Sequence, residues 1–261
     1  MTADPLDFTG KVVLVTGGGK GVGRGIAARF LDAGANVVVC GRNAPSDVVT
    51  QAGRAAVFVA ADVRDAEQVE RLVKTTVERF GRLDVLVNNA GGSPYADAAT
   101  ASPRFLAKII ELNLTAPFVV AQRANAVMQT QPEGGSIVNV ASVSGTRPSP
   151  GTAAYGAAKA GLLNLTQTLA VEWAPKVRVN AVTGGMVRTE QAHLHYGDEA
   201  GIAAVGATVP LGRIAEPRDI ADACLFLASP LASYVSGAAI VIHGGGERPA
   251  FLDAAKNTTH G

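Results

Sequence analysis

The sequence predicts an α/β fold, with one doubly wound domain in which helices flank both faces of a seven-stranded parallel sheet. Seven short runs rich in Val and Ile alternate with longer stretches that have helical periodicity. The short runs show no polar alternation, which is typical of strands buried on both faces of a parallel sheet. Glycine is abundant, with 30 of 261 residues, and suits a chain with many tight turns between strands and helices.

The predicted strands are distributed along the whole chain. They cover residues 11–16, 36–40, 55–60, 83–88, 136–140, 178–182 and 239–242. Between them, residues 66–80 show the clearest helical pattern, with Val69, Leu72 and Val73 on an apolar stripe. Repeated strand–helix–strand units imply right-handed crossovers and therefore a parallel sheet.

The domain organisation follows from the lack of any internal repeat or linker, so residues 1–261 are predicted to form a single domain. Residues 190–209 carry little periodicity and are expected to form a mobile substrate lid, because long irregular insertions in compact domains are usually functional or disordered. Residues 247–261 are expected to form a C-terminal tail whose polar tip, residues 256–261, is frayed.

Composition argues against several classes of function. The net charge is +1 and no long run of one sign occurs, which does not favour nucleic-acid or anionic-membrane binding. Cys40 and Cys224 fall in apolar patterns and are interpreted as buried thiols of a reducing compartment. The N-terminus lacks the apolar core of a signal peptide, and no uninterrupted apolar stretch could span a bilayer. We expect a cytoplasmic protein with no nucleic-acid or membrane partner and, since no metal-ligand spacing occurs, no metal.

A glycine-rich stretch at residues 16–23 follows the first predicted strand and begins a helix. Glycine lets the backbone approach a pyrophosphate closely, and the helix N-terminus offers free N–H groups to it. A tight turn that binds nothing is the alternative, but the strand–turn–helix context favours a Rossmann-type dinucleotide site. The predicted cofactor contacts in this stretch are Gly17, Gly19, Lys20, Gly21, Val22 and Gly23.

The end of the second predicted strand bears on the choice of cofactor. An acidic residue there would bind the ribose hydroxyls of NAD, but the sequence is Cys40-Gly41-Arg42. Arg42 and Lys20 are suited to bind the 2′-phosphate of NADP, since charge-assisted bonds to phosphate are strong. The alternative is that both are solvated surface cations. The sequence therefore favours NADP(H), with NAD(H) as the second choice.

Tyr155 and Lys159 are predicted to share one face of a helix, because they are four residues apart. A tyrosine with a pKa of about 10 is a poor acid/base at neutral pH, and a neighbouring cation favours its phenolate. The alternative for the pair alone is ordinary packing with a solvated lysine head group.

Several motifs in order make the chain similar to one family. Between residues 8 and 246 these are Thr16-Gly-x-x-x-Gly-x-Gly23, Asp62-Val63, Asn88-Asn-Ala-Gly91, Asn113, Ser142, Tyr155-x-x-x-Lys159 and Arg178-Val-Asn180. In their order and spacing they resemble the short-chain dehydrogenases/reductases, in particular 3-oxoacyl-carrier-protein reductase-like and hydroxysteroid dehydrogenase-like members.

The resemblance implies roles for four catalytic residues. Tyr155 would pass a proton to or from the substrate oxygen. Lys159 would bind the nicotinamide ribose and lower the pKa of Tyr155. Ser142 would hydrogen-bond the substrate carbonyl, and Asn113 would hold a water that links Lys159 to bulk solvent.

The resemblance also implies further cofactor contacts and an assembly. Asp62 and Val63 would contact the adenine, and Val187 and Thr189 the carboxamide end. The residues expected to line the cofactor cleft are Asn89, Ala90 and Gly91. Family members commonly form homotetramers through helices placed like the one after residue 152. Its small residues, expected to lie at such an interface in a homotetramer or homodimer, are Gly156, Ala157, Ala160 and Gly161.

Two positions depart from the family pattern. Gly184 replaces a common Pro, which predicts a more mobile loop and, with Gly185, a hinge for the lid. His243 replaces a common Asp and is interpreted as a buried, hydrogen-bonded residue, with a subunit interface as the alternative.

The substrate is expected to be a small secondary alcohol or ketone, either an acyl thioester or a steroid-derived or other ring ketone. His193 and His195 are assigned equally to a solvated loop or to substrate contact. The residues predicted to line the substrate pocket are Ser93, Pro94, Tyr95, Ser144, Met186, His193, Leu194, His195 and Tyr196. A rival interpretation is a regulatory protein that senses NADP(H) without turnover, but the presence of Tyr155, Lys159, Ser142 and Asn113 favours an enzyme.

Overall fold

A computed structural model describes residues 4–249, 251–252 and 255, so the predicted frayed tip lies outside the described residues. Its strands are β1 (Val12–Thr16), β2 (Asn36–Gly41), β3 (Thr50–Gln51), β4 (Arg54–Ala55), β5 (Val57–Ala60), β6 (Val85–Asn88), β7 (Gly135–Ser142), β8 (Val177–Gly184) and β9 (Ala239–Ile242). In the described chain, seven of them form one parallel sheet in the order β5-β2-β1-β6-β7-β8-β9. This confirms the predicted sheet. The sequence did not predict the antiparallel hairpin β3–β4. The apolar run predicted as one strand at 55–60 is divided in the structure between β4 and β5.

Helices cover both faces of this sheet, as predicted. They are α1 (Gly21–Asp32), α2 (Ala66–Phe80), α3 (Pro103–Ile110), α4 (Ala116–Met128), α5 (Ala153–Glu172), α6 (His193–Tyr196), α7 (Glu199–Ala207) and α8 (Pro217–Ala228). Successive strand residues point to opposite faces. Val13 and Val15 of β1 therefore pack under α1 and α8, whereas Leu14 packs under α2, α4 and α5.

One continuous helical stretch, Pro103–Met128, comprises α3, the π-helical turn Glu111–Thr115 and α4. By length and composition alone it is apolar enough to cross a membrane. In the fold, Val120 and Ala124 on its inner side belong to the apolar layer beneath the sheet, and Lys108 interrupts its apolar sequence. Part of its apolar character is therefore that of a helix covering a sheet.

Residues 190–209 form the short helices α6 and α7, so the expectation of an irregular segment is wrong. Asp198 caps α7 by accepting a hydrogen bond from a backbone amide of its first turn, at 2.9 Å. Ile202 packs into a small apolar cluster of its own. The sequence pattern hides this helix because α7 consists mainly of Ala and Gly, which leave little amphipathic contrast. Closure of this segment over a substrate stays a prediction.

Buried amides connect the elements that carry the catalytic end of the sheet. Asn88 donates to the carbonyl oxygen of Pro117 at 2.9 Å and to the side chain of Asn139 at 3.0 Å. Asn139 in turn donates to the hydroxyl of Thr166 on α5, at 2.9 Å. Buried polar groups need such partners, so this network sets the position of α5 against β6 and β7.

The small residues of α5 do not share one outer face. A Cβ at Gly156 would lie 2.7 Å from the carbonyl oxygen of Ser144, and one at Gly161 would lie 3.0 Å from Leu114. Both glycines therefore allow close packing within the chain, and a subunit interface at this helix stays a prediction. Ala157 and Ala160 are exposed.

The cysteines are buried thiols, as expected. Burial raises the pKa of Cys40 to about 12 and also raises that of Cys224. Both side chains are therefore protonated and unreactive at neutral pH.

Candidate active site

A cleft of about 660 Å³ opens at the carboxyl ends of the parallel strands. This is the edge at which doubly wound sheets bind their ligands. The predicted cofactor residues that line it are Gly17, Gly19, Lys20, Gly21, Val22, Gly23, Arg42, Asp62, Val63, Asn89, Ala90, Gly91, Tyr155, Lys159, Val187 and Thr189. Ser142 also lines it, whereas Asn113 lies directly behind the wall.

The glycine-rich turn needs glycine for two different reasons. Gly17 has φ of +64°, in the left-handed region. A Cβ at Gly23 would lie 2.3 Å from the carbonyl oxygen of Gly17 and 2.5 Å from the side-chain amide nitrogen of Asn89. The turn is therefore as tight as backbone contact permits, and it brings the N-terminus of α1 to the floor of the cleft.

The end of β6 holds this turn in place. The hydroxyl of Thr16 accepts hydrogen bonds from the backbone amides of Asn89 and Ala90, both at 3.0 Å. The side-chain amide of Asn89 donates to the carbonyl oxygen of Thr16 at 2.9 Å. A cleft of this size, with a backbone cradle at one end and a helix N-terminus at its floor, fits a dinucleotide.

The far end of the cleft is basic. Arg42 and Lys20 are both exposed there, and no carboxylate occupies the turn after β2. Arg64 binds Asp62 through two side-chain bonds of 3.0 and 2.6 Å. Arg64, with a smaller contribution from Arg42, holds the pKa of Asp62 below its usual value. Asp62 is therefore an ionised, neutralised carboxylate, and its contact with adenine stays a prediction.

Ser142 and Tyr155 meet at the other end of the cleft. Burial raises the pKa of Tyr155, a side-chain hydrogen bond with Ser142 partly offsets this, and the nearby Tyr196 adds to the rise. The hydroxyl oxygen of Ser142 also accepts from the backbone amide of Ser144 at 3.2 Å, which holds the side chain in the cleft. The phenol of Tyr155 is therefore protonated at neutral pH.

Lys159 is buried one helical turn beyond Tyr155. Its ammonium nitrogen donates to the carbonyl oxygen of Val140 at 2.7 Å and lies 5.6 Å from the centre of the Tyr155 ring. Burial lowers the pKa of Lys159 to about 8. In the free protein burial therefore outweighs the effect expected of this cation, because the pKa of Tyr155 is raised rather than lowered.

Asn113 lies on the π-helical turn, a distortion often found at functional sites. Its side-chain oxygen accepts from the backbone amide of Gly92 at 2.8 Å, and its amide donates to the carbonyl oxygen of Gly92 at 3.0 Å. A Cβ at Gly91 would lie 2.6 Å from Asn113 and 3.5 Å from the ammonium nitrogen of Lys159. Asn113 thus holds the loop that separates it from Lys159, and a water-holding role stays a prediction.

The two departures from the family pattern have packing explanations. A Cβ at Gly184 would lie 3.3 Å from Ile220, and one at Gly185 would lie 2.8 Å from the Cβ of His243. Gly184 pairs with both neighbouring strands, and both glycines allow close approach of packed groups, which argues against the predicted hinge at this point. His243 is half-buried, and within residues 4–249 its ring has no hydrogen-bond partner, which corrects the expectation of a hydrogen-bonded residue.

The predicted substrate residues lie at different distances from Tyr155. Tyr196 is near enough to influence its pKa. His193 is exposed and lines a separate cavity of about 420 Å³, and its ring contacts the carbonyl oxygen of Glu190 at 3.1 Å. His195 is also exposed.

Sequence reasoning missed several residues of the cleft wall. Arg64 could have been found from its position two residues after Asp62. Glu190 has no local signal, because its position depends on a contact with α1 far away in the sequence. The remaining missed lining residues include Cys40, Gly41, Phe58, Val140, Gln191 and Ile220.

Comparison with protein families matches residues 17–247 to the family model described as enoyl-(acyl carrier protein) reductase. An uncharacterized oxidoreductase of Mycobacterium tuberculosis is 35% identical over 250 residues, which cover 94% of this chain and 95% of the relative. A 3alpha-hydroxysteroid dehydrogenase of Mediterraneibacter gnavus is 37% identical over 244 residues, covering 90% and 96% of the two chains.

A solved structure is also similar to this chain over nearly its whole length. The ligand-free aldohexose dehydrogenase of Thermoplasma acidophilum superposes with a TM-score of 0.85 at 31% identity, covering 92% of this chain and 94% of that one. Similarity at this level extends over the whole sheet and the cleft.

The buried Lys159 predicts a specific pH dependence of stability. Folding buries the ammonium, so the folded protein loses its proton at about pH 8, before the unfolded chain does near pH 10.5. The free energy of unfolding of the wild type should therefore rise, relative to Lys159→Met, as pH increases through this interval, by at most on the order of 3 kcal/mol. Urea unfolding of the cofactor-free proteins at several pH values measures this difference. Lys74→Met, an exposed lysine on α2, should show no such trend. If the difference in free energy of unfolding between wild type and Lys159→Met did not change with pH, the lowered pKa of Lys159 would be contradicted.

Proposed function

Because the chain belongs to the short-chain dehydrogenase/reductase family, whose members are NAD(P)-dependent oxidoreductases, we propose that it interconverts a secondary alcohol and a ketone with NADP(H) and Tyr155 as acid/base. The observation that carries the proposal is the meeting of Ser142, Tyr155 and Lys159 at one end of a cleft whose other end is a glycine-rich dinucleotide cradle. The nicotinamide ring supplies or accepts the hydride when the cofactor is bound.

Each residue then has a defined task in carbonyl reduction. The hydroxyl of Ser142 donates a hydrogen bond to the substrate oxygen and holds it beside Tyr155. The phenol of Tyr155 donates its proton to that oxygen as negative charge develops there. Lys159 stabilises the resulting phenolate, since below about pH 8 it is a cation within the same buried pocket. In alcohol oxidation the phenolate accepts the proton.

The preference for NADP(H) is supported by charge. Two exposed cations, Lys20 and Arg42, line the adenosine end of the cleft, and Arg64 already neutralises Asp62. A 2′-phosphate would therefore meet two cations, Lys20 and Arg42, that pair with no carboxylate within the described residues. We also propose a cytoplasmic location, which suits two buried, unpaired thiols and this cofactor.

The substrate class is supported by what the relatives act on. The names of two relatives describe a hydroxysteroid and an aldohexose, which carry ring alcohols. The name of the family model describes an enoyl thioester of acyl carrier protein, which supports an acyl-thioester substrate but not the ketone itself. The reacting centre would bind between Ser142 and Tyr155, and Tyr196 would contact the rest of the molecule. A protein that only senses NADP(H) is the alternative, and binding of NADPH without turnover of any ketone would favour it.

A homotetramer or homodimer is also part of the proposal. The exposed residues Ala157 and Ala160 support close approach of a second α5, because they present little side-chain bulk there. Exposed Val171 at the end of the same helix adds apolar surface.

Substitution of Tyr155 by Phe tests the catalytic assignment. The ring still packs, but the exchangeable proton is absent, so kcat should fall by at least about 10²-fold while NADPH binding stays within about two-fold of wild type. NADPH absorbance across acyl-thioester, steroid and sugar ketones measures the first, and a fluorescence titration the second. Tyr234→Phe, a fully exposed tyrosine, is the control. An unchanged kcat in Tyr155→Phe would refute the role.

Substitution of Arg42 by Ala tests cofactor selection. Loss of a charge-assisted bond to the 2′-phosphate should raise the Kd for NADPH by about 10- to 100-fold and leave that for NADH nearly unchanged. Adding Gly41→Asp should move the preference towards NADH, and a side chain fits there because a Cβ at Gly41 meets only ordinary contacts at 3.7 and 3.9 Å. Arg104→Ala, an exposed arginine on α3, is the control. Equal losses for both cofactors would show that Arg42 does not bind the 2′-phosphate.

We propose that residues 190–209 close over the substrate, with the movement starting after Arg188. The backbone amide of Arg188 donates to the carbonyl oxygen of Ala215 at 2.7 Å, which anchors the chain just before the segment. Closure would exclude water and strengthen the bonds to the substrate oxygen.

Hydrogen exchange tests this closure. Amides of residues 190–209 should exchange fast in the free enzyme and slow down when cofactor and substrate are both bound, because closure orders them. Amides of β7 serve as the internal reference, since the central sheet should be protected in both states. Equal protection of the segment in the free and ternary states would leave α6 and α7 as static architecture.

A further inference from the structure

The carboxylate of Glu190 lies at the N-terminus of α1. The backbone amide of Gly21, the first residue of that helix, donates to one oxygen of Glu190 at 3.1 Å and to the other at 3.4 Å. The two residues are 169 positions apart in the sequence. Glu190 also lines the main cleft, so its charged end lies within the space that holds the cofactor in the proposed function.

The N-terminus of the first helix is the phosphate-binding position of a dinucleotide fold. The amides and the dipole at the start of the first helix bind the pyrophosphate of the cofactor, and a carboxylate satisfies the same groups in the same way. Glu190 is therefore a chemical substitute for a phosphate, carried by the protein itself.

The cap of α1 differs from those of α2 and α3, whereas α4 and α5 also lack a side-chain cap bond from the preceding residue. Asp65 caps α2 and Ser102 caps α3, each from the position directly before its own helix. For α1 the residue in that position is Lys20, and within the described chain it makes no side-chain cap bond and the first turn holds no acid. A permanent local cap would obstruct the diphosphate, whereas a carboxylate from a distant segment can leave.

We propose that Glu190 is an internal competitor of the cofactor diphosphate, an inference that rests on the proposed function. In the free protein its carboxylate occupies the diphosphate position at Gly21, and the cofactor must displace it to bind. Glu190 therefore lowers the affinity for the dinucleotide, and its displacement releases the start of residues 190–209. Cofactor binding is in this way coupled to the segment that covers the substrate.

The local structure permits this displacement. Glu190 is exposed, and its carboxylate has Gly21 as its hydrogen-bond partner within the described residues. The backbone before it is held at Ala215, and Ala192 after it is buried in the small cluster beside α7. Rotation of the side chain, or movement of the short piece between these anchors, is enough to clear the cleft.

Glu190→Gln tests the competition, because it removes the charge and keeps the size of the side chain. Fluorescence titrations of the full-length protein should give NADPH and NADH Kd values that are both lower than those of wild type, by roughly 3- to 30-fold. The two gains should be equal, since the cofactors share the same diphosphate. Glu199→Gln is the matched control. It removes one charge from the same segment, but from a carboxylate that pairs with Arg188 at 2.8 Å, and should change each Kd less than two-fold.

A second measurement detects the contact itself. The Gly21 amide resonance of the free protein should move upfield in Glu190→Gln, because the bond to a charged acceptor is lost, and should stay in place in Glu199→Gln. Equal unfolding midpoints would show that both variants are folded.

The outcomes separate this inference from the proposed function. Wild-type binding of dinucleotide with unchanged or weaker binding by Glu190→Gln would overturn the competition, and so would a gain restricted to NADPH. Failure of wild type and variant to bind either dinucleotide would overturn the proposed function, and the competition with it.

Discussion

The catalytic end of this protein depends on one constraint, an ammonium group buried at the carboxyl edge of the sheet. Lys159 satisfies that charge by donating to the carbonyl oxygen of Val140, at 2.7 Å, next to the end of β7. This bond and the buried amides that join β6, β7 and α5 leave the helix little freedom to slide. Tyr155, one turn earlier on α5, is consequently presented to Ser142 at the end of the adjacent strand.

The burial that positions these groups also determines their protonation. It raises the pKa of Tyr155 and lowers that of Lys159, so each group is pushed towards its neutral form. At neutral pH the tyrosine of the free protein is a proton donor and the lysine is still mostly charged. This state suits carbonyl reduction, whereas oxidation needs additional stabilisation of the phenolate when the site is filled.

The two ends of the cleft are joined by the chain after β6. Asn89 holds the glycine-rich turn at one side, and Gly91 and Gly92 lie against Asn113 at the other. Residues 89–92 therefore connect the dinucleotide end of the cleft directly with its catalytic end. By contrast, the ring of Tyr95 and most of α6 are exposed. A hydroxysteroid dehydrogenase and an aldohexose dehydrogenase are both similar to this chain over at least 90% of its length, so the shared fold does not by itself determine which substrate such a protein binds.

The amino-acid sequence by itself determined the parallel sheet, its flanking helices, the glycine-rich turn and the pairing of Tyr155 with Lys159, while the resemblance to a family implied other residues of the cleft wall. These features follow from local patterns: apolar runs for buried strands, glycine where the backbone must turn, and a spacing of four residues that brings Tyr155 and Lys159 to one helix face. Only the tertiary structure decided that Gly156 and Gly161 pack against neighbouring groups of the chain, that Gly184 and Gly185 lie against Ile220 and His243, that residues 190–209 contain the helices α6 and α7, and that Glu190 reaches Gly21. Each of these depends on which distant residue lies opposite, and a local pattern carries no information about that partner.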